Sequence, residues 1–304
     1  MKTAVLFSGQ GAQKPGMLKE IYDTSEAAKK IFQTADSILG RKISDICFNG
    51  TQEELNITHN TQPCMLAADL AAYFAVKEHG ITADAFAGFS LGEYAALTAG
   101  NCFTVKDAFR LIQIRADAMQ EAVPFGKGGM AAILKISSDE VINLCNETEG
   151  YIIPANFNSP QQTVVSGEIE ALTKLLEKAK ERKIRAIKLP VSAPFHCKLM
   201  DSAKKVLEEE FNKIKIDDAE KPVYMNIDGL KRIEAFEIKN AVLKQTVSSV
   251  QWVKTVENLY NDGIRRFVEC GPGGTLTKFC KSILSDKEDC EFYSVENMED
   301  LNKM

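Results

Sequence analysis

Gly88-Phe89-Ser90-Leu91-Gly92 is the stretch of this chain whose residue types and spacing are best suited to chemistry. It fits G-x-S-x-G, the pattern in which a serine sits on a sharp strand-to-helix turn. The flanks agree, because residues 85–89 (AFAGF) read as a short apolar strand and 91–100 as a helix. Two glycines permit a tight turn with close backbone approach, and the serine oxygen is then presented above the sheet edge. A helix opening at Leu91 adds free backbone N–H groups and a positive dipole end, both suited to an oxyanion. The implied chemistry is nucleophilic acyl transfer through Ser90.

Such a serine needs a base. The chain has three histidines. His59 lies in a polar loop, and His79 at a helix C-terminus before Gly80. His196 ends the apolar, proline-containing turn Ser192-Ala193-Pro194-Phe195-His196, where it can face a cleft, and is the candidate base. The carboxylates Glu121, Asp139 and Glu168 lie between serine and histidine in helical or surface-like segments. The group orienting His196 is therefore expected to be a neutral acceptor. Gln251 is one candidate, though spacing does not single it out.

Two further residues stand out. Residues 105–121 read as a helix with an apolar stripe at Ala108, Leu111, Ile112 and Met119, and Arg115 falls on that stripe. A guanidinium on a buried face needs a partner, either an internal carboxylate or a substrate carboxylate held by arginine's planar fork. Gln10 lies in the loop Ser8-Gly9-Gln10-Gly11 after the first strand (residues 3–7), where α/β folds place ligands, and its amide could serve an oxyanion. The loop matches neither GxGxxG nor the P-loop pattern.

The elements that must position these residues alternate strand and helix: strands at 3–7, 85–89 and 266–270, with helices at 63–78, 91–100, 105–121 and from Leu276. That order predicts an α/β fold with a mainly parallel sheet covered on both faces. Residues 126–129 (GKGG) read as a flexible junction. After them the order is strand 130–136, helix 138–148, strands 151–156 and 163–166, helix 169–183 and strand 184–191. This is βαββαβ, a ferredoxin-like unit inserted into the larger lobe. Residues 126–197 are expected to form this small subdomain, and 1–125 with 198–304 the large one.

Composition excludes other classes. Of 304 residues, 45% are hydrophobic and 26% charged, which fits a globular domain and excludes disorder. Net charge −5 argues against nucleic acid. Eight cysteines with no CxxC spacing argue against structural zinc and suit a reducing cytoplasm. The opening decapeptide is too short in apolar residues for a signal peptide, and no apolar run of about 18 residues predicts a membrane span.

Seven blocks, FSGQGAQ, GFSLGEYAAL, LIQIRADAMQEAVP, NFNSPQQTVVSG, VSAPFHCKLM, SSVQW and ECGPGGTLTKF, occur in order over residues 3–282. Together they resemble the malonyl-CoA:acyl carrier protein transacylases of fatty acid synthesis. The resemblance implies an α/β-hydrolase-like large subdomain with the site between it and the small one. It makes Ser90 the nucleophile and His196 the base, with Arg115 holding the malonyl carboxylate. Gln10 and the Leu91 N–H would form the oxyanion hole. Gln251 matches the position whose backbone carbonyl orients the histidine, and Phe195 matches the malonyl-selective form of its motif. The implied substrates are malonyl-CoA and phosphopantetheinylated acyl carrier protein, with no cofactor or metal, in a cytoplasmic monomer. Phe89 and Ser8 depart from the family's usual histidine and proline. A trans-acting polyketide acyltransferase and a serine thioesterase are the alternatives.

Overall fold

Alternation along the first strand sets the layering. In β1 (Lys2–Phe7), Val5 and Phe7 point into one apolar cluster and Ala4 and Leu6 into another. A strand buried on both faces in this way needs helices on each side. The computed structural model describes residues 1–191 and 193–304, so Ser192 of the predicted turn lies outside the described residues.

The larger sheet has the order β10-β9-β1-β2-β7-β8, with β2 (Ala85–Gly88), β7 (Val223–Tyr224), β8 (Lys231–Arg232), β9 (Ile264–Cys270) and β10 (Glu291–Val295). Its first five strands pair in parallel, and only β8 runs antiparallel, against β7. One face carries the helices Thr58–Glu78, Gly92–Ala99 and Val105–Glu121. The other packs against Trp252–Asn261 and Thr275–Ile283. The α/β expectation therefore holds.

A second, antiparallel sheet has the order β4-β5-β3-β6, formed by β3 (Gly128–Leu134), β4 (Ile152–Ser159), β5 (Gln162–Glu168) and β6 (Arg185–Lys188). Numbered within the insert, that is 2-3-1-4, the ferredoxin-like arrangement. Period-two alternation again divides its faces. Ala131, Ile133 and Val165 pack under the helices Ser138–Asn146 and Ile169–Glu181. Met130, Ala132 and Val164 turn the other way, into a cluster with Met119 and Phe195 beneath the cleft.

The junction predicted at 126–129 differs in part. Gly128 and Gly129 belong to β3, and their missing side chains serve packing. A Cβ on Gly128 would lie 2.4 Å from the Pro194 ring, one residue from Phe195. Gly128 brings the insert's first strand against the turn that carries His196, and Gly129 brings it against Leu172 of the helix Ile169–Glu181. The short strands β7 and β8, the edge strand β10 and the helices preceding residue 58 were not anticipated from sequence.

Candidate active site

Ser90 follows β2 with φ 54°, a left-handed conformation that side chains adopt at a cost. Neighbouring glycines permit it. A Cβ on Gly88 would sit 1.9 Å from the Gly92 carbonyl oxygen, and one on Gly92 would sit 2.3 Å from that of Phe7. The turn closes only because both are glycine. The helix that follows begins at Gly92, one residue later than predicted, so Leu91 is its N-cap. Its N–H finds no acceptor among the described residues and remains open to a ligand.

His196 also has a left-handed backbone, φ 59°. Its Nε2 lies 2.7 Å from Ser90 Oγ, and its Nδ1 donates to the Gln245 backbone carbonyl at 3.1 Å. A carbonyl can only accept, so Nδ1 carries the proton and Nε2 is free to take the serine's. Burial first, and then the Arg115 charge, hold the imidazole pKa down to about 4 against the opposing Gln245 carbonyl. At neutral pH the ring is therefore an uncharged base.

The orienting carbonyl belongs to Gln245, not to Gln251 as the sequence suggested. Gln251 occupies the N-cap of the helix Trp252–Asn261, and its carbonyl accepts from Thr255 N–H and Oγ1 at 2.9 and 3.0 Å. Gln245 instead ends the helix Ala235–Gln245, where last-turn carbonyls lack intrahelical partners. Its side chain works too: Nε2 donates to the Ser90 carbonyl at 2.7 Å and Oε1 accepts from Arg115.

Arg115 is 1% exposed. It donates to Gln62 Oε1 at 2.6 Å, Gln245 Oε1 at 3.1 Å and Ser90 Oγ at 3.1 Å, and it lies 5.4 Å from the Tyr94 ring centroid. No carboxylate pairs with it among the described residues, and its Nε lacks a partner. Burial pulls its pKa below the usual arginine value, with Tyr94 and Glu93 opposing, but a guanidinium stays charged. A buried cation held by neutral groups and aimed at Ser90 Oγ is a ready receptor for an anion.

Ser90, His196, Arg115, Gln10 and Phe195 line one cavity of about 230 Å³ between the two sheets. Gln251 does not line it. His59 pairs with Asp117 at 2.5 Å on the surface, His79 is exposed, and the exposed carboxylates Glu121, Asp139 and Glu168 make no bond to His196. Sequence reasoning missed Gln62, Gln245 and Asn226. Asn226, fully buried after β7, accepts from Ser90 N–H and donates to the Gly88 carbonyl.

The chain matches the acyl transferase domain family over residues 5–298. It belongs to that family. A malonyl CoA-acyl carrier protein transacylase of Bacillus subtilis (strain 168) is 40% identical over 286 residues, 93% of this chain and 90% of the relative. One of Escherichia coli O157:H7 is 39% identical, covering 92% of each chain. The solved transacylase of Clostridium perfringens superposes with TM-score 0.94 at 37% identity, covering 100% of this chain and 96% of the other. A second solved acyl transferase, described as the malonyl-transacylase in complex with its type II polyketide acyl carrier protein, gives TM-score 0.95 at 34% identity, covering 100% and 98%. Among the described residues no cluster of three or more His, Cys, Asp or Glu could hold a metal ion, and no helix is long and apolar enough to cross a membrane.

Proposed function

We propose that this acyltransferase moves malonyl from malonyl-CoA to the phosphopantetheine thiol of acyl carrier protein, in fatty acid synthesis. The observation that carries the reading is Arg115, a buried guanidinium without a carboxylate partner, hydrogen-bonded to the nucleophile candidate itself.

Ser90 Oγ attacks the thioester carbonyl while its proton passes to His196 Nε2. Gln10 and the Leu91 N–H hold the oxyanion. The carbon–sulfur bond then breaks, His196 returns the proton to the coenzyme A sulfur, and a malonyl-Ser90 ester remains. In the second half the carrier's thiol gives its proton to His196, its sulfur bonds the carbonyl carbon, and the ester bond breaks with the proton returning to Ser90. Arg115 exchanges its contact with Ser90 Oγ for the malonyl carboxylate. Phe195, 7% exposed over the cavity, leaves room for malonyl and crowds a branched acyl chain. No metal or cofactor enters these steps. The proposed setting is a cytoplasmic monomer that binds neither nucleic acid nor membrane.

The test separates transfer from hydrolysis. Protein loaded with malonyl-CoA and freed of coenzyme A is incubated with buffer or with carrier protein. Fast loss to carrier and slow loss to buffer is expected. Equal rates would favour the thioesterase alternative.

A further inference from the structure

Asn226 uses all of its hydrogen-bonding groups around the serine turn. Its Oδ1 accepts from Ser90 N–H at 2.7 Å, and its Nδ2 donates to the Gly88 carbonyl at 2.7 Å. Its own N–H donates to Glu93 Oε2 at 2.6 Å, and its carbonyl accepts from Gln251 N–H at 2.8 Å. The amide orientation is fixed by its partners, since a carbonyl only accepts and an N–H only donates. The residue follows β7, which pairs in parallel with β2, so the two strands deliver Asn226 and Ser90 to the same sheet edge.

This placement meets a specific need. Ser90 holds a left-handed backbone, and such conformations persist only where surrounding contacts over-determine them. The flanking glycines allow the turn without selecting the direction of Ser90 Oγ. A side chain that ties the peptide groups on both sides of residue 89 does select it. The bond also occupies the Ser90 N–H, which leaves the Leu91 N–H as the unengaged donor beside the nucleophile.

We propose that Asn226 is a positioning residue for the nucleophile, clamping the Gly88 carbonyl and the Ser90 N–H so that Ser90 Oγ points at His196 Nε2. The inference rests on Ser90 being the nucleophile. Glu93, from the helix Gly92–Ala99, accepts from the Asn226 N–H and is acted on by Arg115 and by Arg232 and Asp228 of the β7–β8 hairpin, while His196 lies against Ser90. Burial raises the Glu93 carboxyl to about 8, so it is largely protonated at pH 5, where the two variants are compared.

The experiment is single-turnover malonyl loading of the full chain, followed by intact mass, for wild type, Asn226→Ala and Asn226→Asp between pH 5 and 9. Asn226→Ala should load about 10²-fold more slowly, with half-saturation by malonyl-CoA unchanged within about threefold, because misaiming a reacting atom costs rate and spares binding. Asn226→Asp carries the sharper signature. Its neutral carboxyl can donate to Gly88 and accept from Ser90, whereas its ionised form repels the Gly88 carbonyl. Loading relative to wild type should therefore recover at least tenfold over Asn226→Ala at pH 5 and decline as pH rises, a pH profile that a loss of fold would not produce. Asn226→Ala loading within threefold of wild type would overturn the proposal, as would Asn226→Asp matching Asn226→Ala at pH 5 or showing a recovery independent of pH. Ser90→Ala run in parallel keeps the two readings apart: an adduct there refutes the nucleophile on which the clamp rests, whereas no adduct there together with wild-type loading by Asn226→Ala refutes the clamp alone.

Discussion

Replacing Arg115 by alanine should collapse the preference for malonyl over acetyl thioesters. Bound to the native site, malonyl pairs its carboxylate with the buried guanidinium, whereas acetyl leaves that cation as it is. After Arg115→Ala, the malonyl carboxylate enters a cavity whose nearby side-chain groups, Gln62 and Gln245, hold their Oε1 atoms where the guanidinium stood. Removing one partner of a buried charge pair costs about 3–5 kcal/mol. At about 1.4 kcal/mol per tenfold, the malonyl-to-acetyl ratio of kcat/KM should fall by roughly two to four orders of magnitude. Both substrates should also lose about tenfold together. Gln245, whose carbonyl holds His196, loses its Arg115 contact, and a stranded buried acceptor costs about 1–3 kcal/mol. The ratio isolates the carboxylate's share from this common loss. Arg115→Lys should recover part of it, keeping charge without the planar fork. The assay is kcat/KM for malonyl-CoA and acetyl-CoA in the three proteins. An unchanged ratio in Arg115→Ala would refute the assignment of Arg115 to the substrate carboxylate.

Two pH responses follow from the buried groups. Loading by wild type should be flat from pH 6 to 8 and fall as pH drops through about 4, because His196 acts as a base only when neutral. In Arg115→Ala the acid limb should move upward, since a nearby positive charge is gone; a limb that stays in place in stopped-flow profiles would contradict the coupling. Asp69 is wholly buried, accepts from Ser8 Oγ at 2.6 Å, and has its pKa raised well above the usual value by burial, Ser8 opposing and Glu269 reinforcing. Its folded form binds a proton that the unfolded form releases above about pH 4, so it weakens the fold as pH rises. Asp69→Asn should match wild type near pH 4 and gain Tm relative to it by pH 8; parallel Tm curves would refute that.

How legible the site was depended on chain distance. The turn at Ser90 and the burial of Arg115 are local patterns, a five-residue motif and an apolar stripe at helical spacing, and both were readable. The ferredoxin-like insert was equally local, since its strands and helices follow one another within about 60 residues. Residues that act through the remote backbone were not. Asn226 reaches Ser90 across 136 positions and Gln245 across 155, and neither carries a motif. Gln245 and Gln251 differ by whether a carbonyl sits at a helix end or caps the next helix, and boundaries are the weakest part of any sequence reading. The available signal was a helix C-terminus at Gln245, whose last-turn carbonyls have no intrahelical partner and are open to a side-chain donor. The strands β7 and β8 have two residues each, too short for an alternation pattern, so the edge that delivers Asn226 could not be anticipated.

The most direct test of the account is intact mass spectrometry after mixing the protein with malonyl-CoA, with Ser90→Ala alongside. The account predicts one malonyl adduct on the wild type, absent from Ser90→Ala at equal thermal stability, and discharged when acyl carrier protein bearing its phosphopantetheine is added, with the malonyl mass appearing on the carrier. An adduct of the same stoichiometry on Ser90→Ala, or a wild-type adduct that carrier protein does not discharge, would contradict it.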